Sequence, residues 1–402
     1  MSALIINDPV YGFTSVPRGL LTSLIAHRYF QRLGRIRQLG MGSFVYPGAL
    51  HTRAAHSLGA FHLMQEALLT LQQKGTFLFD SEVEAAEAAI LLHDVGHGPF
   101  SHVLERTLVD GVSHEQLSLL MMQRLNREFR GDLTLAINIF TDTSSRPFLH
   151  ELLSSQLDAD RLDYLCRDSF YCGVREGNIG ASRMIKMLRV QDEQLMIDIK
   201  GLYTVENYLM ARRLMYWQVY LHKTVVAAEE VLRQTLRRAK YLLSQGESLA
   251  ATPTFLFFLT HQCSCADFER DEALLDAYAE LDDSDVIASL KMWQKSKDRI
   301  LSRLAQDYVQ RHLFKVTVSA EKPAEESLAA LRRSTAEALG IDEADADYFV
   351  TCRRVNSRIY SPESENIWLW EDADHVHELA TVSHVVRDDT PSDEKYYTFV
   401  QR

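Results

Sequence analysis

The 402-residue sequence is poor in cysteine and proline and has no long apolar run. The five cysteines are Cys166, Cys172, Cys263, Cys265 and Cys352. This odd, scattered set argues against a disulfide framework and suits a reducing compartment. The segment from His261 to Cys265 contains three potential zinc ligands, His261, Cys263 and Cys265, but it lacks a second ligand pair.

The longest apolar run, around residues 255–259, is far too short to span a bilayer. The N-terminal segment has no basic stretch leading into an apolar one, so we expect no signal peptide and a cytoplasmic location. Basic residues are outnumbered, 43 Lys and Arg against 55 Asp and Glu, for a net charge of -12. This charge argues against nucleic-acid binding as the main activity, because no global basic field would attract a polyanion.

The remaining composition is that of an ordinary globular protein, with 46% hydrophobic and 24% charged residues. Up to about residue 312 nearly every segment has apolar residues at helical spacing, with few proline breaks. After residue 313, apolar and polar residues alternate as in strands. We therefore predict a mainly α protein, a helical bundle over residues 1–312 with a smaller α+β appendage over residues 313–402.

Individual elements can be placed coarsely from these patterns. A short strand and turn are predicted at 5–13, and strands at 314–319, 347–352 and 367–370. Helices are predicted at 20–39, 51–74, 83–92, 150–168 and 206–244.

One stretch, residues 91–102, concentrates polar side chains at the end of a buried helix. The apolar, alanine-rich run 83–92 leads directly into His93 and Asp94, and Gly96 and Pro99 then break the helix. Burying three histidines and an aspartate without partners would cost several kcal/mol, as an order of magnitude. A bound metal ion would satisfy these groups.

Four side chains on three predicted helices can converge on one ion: His56, His93, Asp94 and Asp160. Two imidazoles and two carboxylates suit Mn, Fe, Zn or Ni better than the all-oxygen shell of Mg. The identity of this divalent metal stays open. Nearby acids have structural interpretations: Asp158 as a helix-start acid, and Asp163 with Arg167 as an ordinary helix pair.

Longer strings surround these residues, at 30–40, 46–59, 93–102, 113–115, 158–168 and 220–223. Their order and content resemble the HD-domain metal phosphohydrolases, and among them the SAM-and-HD-domain dNTP triphosphohydrolases and their bacterial relatives. The strings span most of the first 230 residues, and the C-terminal part agrees only in outline. We expect no SAM domain, because no stretch long enough for one precedes these strings.

The resemblance carries roles over to matching positions. His56, His93, Asp94 and Asp160 match the metal ligands, and His97, His102 and His114 match active-site histidines. It implies that His114 protonates the leaving 5′ oxygen and is held by Glu105. Positions that hold the triphosphate are matched by Arg53, Arg161, Tyr164, Arg212 and Lys223. Positions near the sugar and base are matched by Gln38, Leu39 and Tyr220, and a position near the 3′ hydroxyl by Asp168.

The resemblance implies hydrolysis of dNTPs to deoxynucleoside and triphosphate by a homo-oligomer, a dimer or tetramer, with Mg as a further candidate ion on the substrate phosphates. Another nucleotide substrate is the first alternative: a mono- or diphosphate, a cyclic nucleotide or an alarmone. A nucleotide-sensing or nucleic-acid-binding regulator is the second.

In nucleotide-activated relatives, an acid and a basic residue form a guanine-specific regulatory site. Ala26 and Gly34 occupy those positions here, so the resemblance does not extend to the usual GTP activation.

Overall fold

The computed structural model describes residues 3–109, 111–357, 360, 366–386 and 393–401. Helices dominate these residues and three small sheets lie among them. This confirms the predicted fold class, a mainly α protein with a small α+β appendage. None of the described helices combines the length and the apolar composition needed to cross a membrane.

The helices follow one another along most of the chain: α1 (Leu20–Ala26), α2 (Arg28–Gln31), α3 (Arg53–Gln73), α4 (Asp80–Leu92), α5 (His102–Leu108), α6 (His114–Glu128), α7 (Thr134–Phe140), α8 (Pro147–Glu151), α9 (Ala159–Cys172), α10 (Ala181–Met187), α11 (Leu202–Met215), α12 (Lys223–Ser244), α13 (Pro253–Thr260), α14 (Cys265–Arg270), α15 (Glu272–Tyr278), α16 (Asp283–Trp293), α17 (Arg299–Val309), α18 (Glu325–Leu339) and α19 (Leu379–Val382). Short 3-10 turns lie at Arg32–Arg35, Gly42–Phe44, Ile199–Gly201 and Glu343–Tyr348, and a π-helical turn at Tyr216–Tyr220.

The strands are β1 (Leu4–Asp8), β2 (Gly12–Val16), β3 (Leu188–Gln191), β4 (Gln194–Asp198), β5 (Lys315–Ser319), β6 (Val350–Ser357), β7 (Trp368–Trp370), β8 (Val376–Glu378) and β9 (Asp393–Val400). Strands β1 and β2 form an antiparallel hairpin, and β5, β9 and β6 form an antiparallel sheet in that order. The third sheet has the order β3-β4-β7-β8, and β4 and β7 pair in parallel.

Helix α3 lies in the middle of the bundle and packs against α4, α9 and α10. Its start is capped by Thr52, whose side chain accepts from the N–H of Ala55. The successive residues Gly59, Ala60 and Phe61 are all buried, so more than half of the circumference of α3 is enclosed. This position makes α3 the element against which the candidate site is assembled.

The C-terminal part shares its packing with the rest of the chain. The third sheet combines strands from both sides of residue 312. Phe314, Phe349, Leu369 and Phe399 belong to the same buried cluster as the core of the helical bundle. The division into domains at 1–312 and 313–402 stays a prediction.

Three segments predicted as continuous helices are interrupted in the structure. The first breaks at His27, whose backbone is extended and whose ring accepts from the N–H of Tyr29. In the second segment, helix α8 ends at Glu151 and helix α9 begins only at Ala159. The third breaks between Tyr220 and Lys223. Apolar spacing continues through each break, so periodicity alone could not show where the backbone turns.

Candidate active site

The turn after α4 carries His93 and Asp94. His93 Nδ1 lies 2.6 Å from the carbonyl oxygen of Ile90, so Nδ1 donates to the backbone and Nε2 is left for another partner. Ser118 of α6 donates to the His93 carbonyl at 2.7 Å and accepts from the N–H of Gly96 at 2.9 Å. Helix α6 therefore fixes the backbone that carries the two side chains.

Two more buried side chains hold the same turn from other directions. Arg32 is fully buried and donates to the carbonyl of Val95 at 2.8 Å. Tyr278 of α15 donates its hydroxyl to the carbonyl of Gly96 at 3.1 Å. The turn is thus held by groups that lie far apart in sequence.

The four predicted metal ligands come together at this turn. His56 Nε2 lies 2.9 Å from Asp160 Oδ1 and 3.8 Å from Asp94 Oδ2. His93 Nε2 lies 3.4 Å from Asp94 Oδ1 and 3.6 Å from Asp160 Oδ1. Helices α3 and α9 and the turn after α4 supply these groups.

A second acid supports His56 from behind. Asp163 Oδ2 lies 2.7 Å from His56 Nδ1, and Arg167 donates to both oxygens of Asp163 at 3.0 Å. Burial by itself would lower the pKa of His56, but Asp160 and Asp163 outweigh it and raise the pKa to about 10. The surroundings of His56 therefore favour a positive charge at this point.

The donor set fits a divalent metal. The Nε2 atom of His93 is buried and has no hydrogen-bond partner among the described residues, and such an orphaned atom is costly unless something binds it. The Nε2 atom of His56 faces the Asp160 carboxylate at 2.9 Å. One ligand atom each of His56, His93 and Asp160 lies within 4.8 Å of the others. Asp163 gives His56 the carboxylate support that metal-binding histidines commonly have. The four-residue assignment remains a prediction, and these residues have the chemistry it needs.

Two predicted active-site histidines lie next to the cluster. His97 Nε2 is 3.4 Å from Asp94 Oδ1, and the rings of His97 and His114 stack with centroids 3.8 Å apart. Burial, together with the nearby Arg53 guanidinium, holds the pKa of His97 well below its usual range, so this ring is neutral near pH 7. The side chains of His102 and Glu105 lie outside the described part of the chain, and their roles stay predictions.

Arg53 connects the cluster to a neighbouring cavity. Its guanidinium donates to Asp94 and, at 2.9 and 2.7 Å, to the hydroxyl of Ser101. Ser101 and Phe100 have φ angles of 48° and 51°, a left-handed conformation that side chains other than glycine rarely adopt. Such strain concentrates at functional sites, and here it directs the Ser101 hydroxyl towards Arg53.

The cavity beside the cluster has a volume of about 350 Å³. Six residues predicted to bind substrate line it: Gln38, Leu39, Arg53, Tyr164, Asp168 and Tyr220. Burial raises the pKa values of Tyr164 and Tyr220 well above the usual range, so both phenols stay protonated and can donate hydrogen bonds. The cavity thus combines one cation, neutral donors and two carboxylates, those of Asp168 and Glu229.

The other three predicted substrate residues are not among those that line the cavity. Arg161 lies in the first turn of α9, next to Asp160, and donates to Asp158 at 3.1 Å. Arg212 is buried and donates to the side chain of Gln156 at 2.7 Å. Lys223 is exposed at the start of α12. Their roles stay predictions.

Several polar residues of the site were not assigned to it from the sequence. Asp158 caps α9, as predicted, and Asp163 and Arg167 form the predicted helix pair. Asp163 also contacts His56, which the i,i+4 interpretation did not include. His51 and Ser101 each sit within a string that carries the resemblance. His51 lies close to Arg53 in sequence, and this was the available indication for it, whereas Ser101 is 48 residues from Arg53.

Comparison with known proteins agrees with this geometry. The HD domain family matches residues 53–168, and a family described as the HD associated region matches residues 179–251. The fold is that of the HD-domain metal-dependent phosphohydrolases.

A crystal structure of a phosphohydrolase from Bacteroides thetaiotaomicron superposes with a TM-score of 0.96 at 50% identity, over 100% of both chains. The uncharacterized protein YwfO of Bacillus subtilis is 35% identical over 317 residues, which cover 77% of this chain and 71% of YwfO. The deoxynucleoside triphosphate triphosphohydrolase SAMHD1 of Homo sapiens is 30% identical over 266 residues, 54% of this chain and 42% of SAMHD1. The chain belongs to the HD-domain phosphohydrolase family and is related to SAMHD1.

Proposed function

We propose that the protein hydrolyses deoxynucleoside triphosphates to deoxynucleoside and intact triphosphate. In this reaction the oxygen of water bonds to the α-phosphorus, the bond from phosphorus to the 5′ oxygen breaks, and the 5′ oxygen takes up a proton. The observation that carries the proposal is the cavity of about 350 Å³ that joins the His-Asp cluster through Arg53. The relatives named as dNTP triphosphohydrolases support the choice of substrate.

In this proposal His56, His93, Asp94 and Asp160 hold a divalent metal. When bound, such an ion polarises a phosphoryl oxygen and activates water. Asp163 keeps the Nε2 lone pair of His56 directed at the cluster by accepting from Nδ1. His56, His93 and Asp94 are buried, whereas the Asp160 side chain is 32% exposed.

Arg53 is the cation best situated to bind a phosphate oxygen, because it lines the cavity and is held in place by Ser101. A triphosphate carries about four negative charges at neutral pH, so a single guanidinium is not a sufficient clamp. Arg161, Arg212 and Lys223 are the proposed further cations. Arg161 follows Asp160 directly and lies beside the cluster.

His114 is the proposed general acid for the 5′ oxygen. It is the first residue of α6, and its ring stacks on His97, which itself contacts Asp94. A proton on His114 would therefore lie beside the phosphoryl group held at the cluster. Glu105 is the proposed acid that orients it.

Product analysis tests this function. The metal-reconstituted protein is incubated with each dNTP, with and without GTP or a second dNTP, and the products are resolved by ion-exchange chromatography. We expect deoxynucleoside and intact triphosphate. Dependence on the added nucleotide would show that regulation persists despite Ala26 and Gly34.

Two outcomes would contradict the proposal. One is release of monophosphate and pyrophosphate, which places the cleavage at another bond. The other is no turnover of dNTPs while a mono- or diphosphate, a cyclic nucleotide or an alarmone is cleaved, which keeps the phosphohydrolase and changes the substrate. Assembly into a dimer or tetramer is part of the same proposal, and light scattering measures it directly.

A further inference from the structure

A buried histidine with no assigned role contacts the wall of the cavity. His51 precedes α3, and its side chain is completely buried. Its Nε2 lies 2.7 Å from Asp168 Oδ1, and Tyr220 donates its hydroxyl to Asp168 Oδ2 at 2.8 Å. Each oxygen of the Asp168 carboxylate therefore has a partner, and the two partners come from different segments of the chain.

The His51 ring is held in one orientation. It stacks on Tyr171 of α9 with ring centroids 4.5 Å apart and planes 17° apart. Its backbone carbonyl accepts from the N–H of Gln38 at 3.0 Å, which ties His51 to another segment that lines the cavity. The ring can therefore present its Nε2 to Asp168 only from this side.

The position of the shared proton follows from the partners. An ionised carboxylate can only accept, so the proton between His51 and Asp168 belongs to His51 Nε2. His51 Nδ1 is buried and has no hydrogen-bond partner among the described residues. A hydrogen on Nδ1 would be buried and unpaired, so the Nε2–H tautomer is favoured.

We propose that His51 is a positioning residue for substrate recognition. Its Nε2–H fixes the rotation of the Asp168 carboxylate, so that the carboxylate receives the 3′ hydroxyl of the bound nucleotide. Each carboxylate oxygen can accept about two hydrogen bonds, so those from His51 and Tyr220 leave capacity for a donor from the cavity. In a dNTP the 3′ hydroxyl is the only free hydroxyl of the sugar. The inference therefore rests on the proposed function, because it takes a dNTP as the substrate.

Two amide variants that differ in reach separate positioning from packing. In His51→Gln the side-chain amide is long enough to donate to Asp168 from nearly the position of Nε2. In His51→Asn the amide has the same chemistry but is one methylene too short. For each variant, kcat and KM are measured with the best dNTP and with its 2′,3′-dideoxy analogue, together with metal content and thermal stability. His375→Leu, which alters an exposed histidine that contacts Asp372, is the control.

We expect wild type, His51→Gln and His375→Leu to prefer the dNTP over the dideoxy analogue. His51→Asn should lose this preference by roughly ten- to a hundredfold in kcat/KM, the size expected for a hydrogen bond to a charged group. The loss should lie mainly in KM for the dNTP, with unchanged metal content and little change for the analogue.

Equal preference in the Gln and Asn variants would overturn the inference. Failure of either amide variant to fold would also overturn it, since it would assign His51 to packing. Absence of triphosphohydrolase activity in the wild-type protein would instead be a failure of the proposed function, and it is visible before any variant is made.

Discussion

At the scale of single residues, the site depends on how charge is distributed around His56. Asp160 lies on the Nε2 side of the ring and Asp163 on the Nδ1 side, at 2.9 and 2.7 Å. Arg167 compensates the second carboxylate and also pairs with Asp8 at 2.8 Å. Gly59 of α3 makes this arrangement possible, because a Cβ atom there would lie 2.1 Å from an oxygen of Asp163.

The support given by Asp163 can be tested by removing its charge. Asp163→Asn keeps the size of the side chain but weakens its bond to His56 Nδ1. We expect metal affinity to fall roughly 10- to 100-fold, as is usual for loss of such a carboxylate. Metal competition on the folded protein measures it, and Asp192→Asn, at an exposed turn, is the control. Unchanged metal affinity would mean that Asp163 acts only as the ion-pair partner of Arg167.

A second pair of variants distinguishes the role of Asp160 as a metal ligand from the role of His114 as a general acid. Asp160→Ala should abolish both bound metal and turnover, because it removes a carboxylate shared by both histidines. His114→Ala should keep the metal and lose roughly a hundredfold or more in kcat. Metal analysis and steady-state kinetics on the same preparations distinguish the two. A fully active His114→Ala protein would show that the proton comes from another group.

At the scale of elements, the packing of α6 against the turn after α4 is set by Gly96. A Cβ atom at Gly96 would lie 2.1 Å from the carbonyl oxygen of His114 and 2.4 Å from the N–H nitrogen of Ser118. The absence of a side chain lets α6 approach the turn closely enough for Ser118 to bond to it on both sides. The same approach brings His114 against His97.

Gly96→Ala should therefore force α6 away from the turn. We expect it to lower the free energy of unfolding by about 1–3 kcal/mol and to reduce activity, because overpacking shifts His114 and the metal ligands together. Denaturant unfolding measures the first effect. Gly34→Ala is the matched control, since a Cβ atom at Gly34 would have nothing within 4 Å. Equal stability of the two variants would contradict this account of the turn.

At the scale of the whole molecule, the C-terminal part is fastened to the helical part by both backbone and charge. Strands β4 and β7 pair across residue 312. Arg238 of α12 bonds to Asp298, the N-cap of α17, and to Asp345 in the C-terminal part. Buried apolar residues of the two parts form one cluster. Such a shared core favours cooperative unfolding.

We therefore expect differential scanning calorimetry of the full chain to show one unfolding transition. If the two parts predicted on either side of residue 312 unfolded independently, calorimetry would show two transitions. Two well-resolved transitions would show that the shared sheet contributes little and that the parts are separate domains.

The Arg238 contact also predicts a pH dependence. Burial alone would raise the pKa of Asp298, but Arg238 and the N–H groups at the start of α17 lower it overall. A lowered pKa means that this carboxylate stabilises the fold above its unfolded pKa of about 3.9, and the contribution is lost as pH falls below that value. The difference in Tm between wild type and Asp298→Asn should be largest near pH 7 and shrink below about pH 4. An equal difference at pH 7 and pH 3 would exclude this contribution.

The sequence by itself determined the fold class and which residue types could bind a metal. Helical periodicity and the ordered strings around His93 are local features, and local propensity decides that much of the chain is helical. The strands at 314–319 and 367–370 followed from alternation and are observed as β5 and β7. The hairpin of β3 and β4 was not predicted.

Only the tertiary structure decided where the helices break and which polar groups support the site. Asp163 contacts a histidine 107 positions away, and His51 contacts an aspartate 117 positions away. Such pairs have no sequence spacing of their own, because their distance depends on how α3 and α9 pack. Gly59 and Gly96 carry no side chain, and only the packed structure shows that a neighbouring helix occupies the space where one would be. The chemistry of the site could therefore be inferred from residue types, whereas the partners that orient it depend on packing.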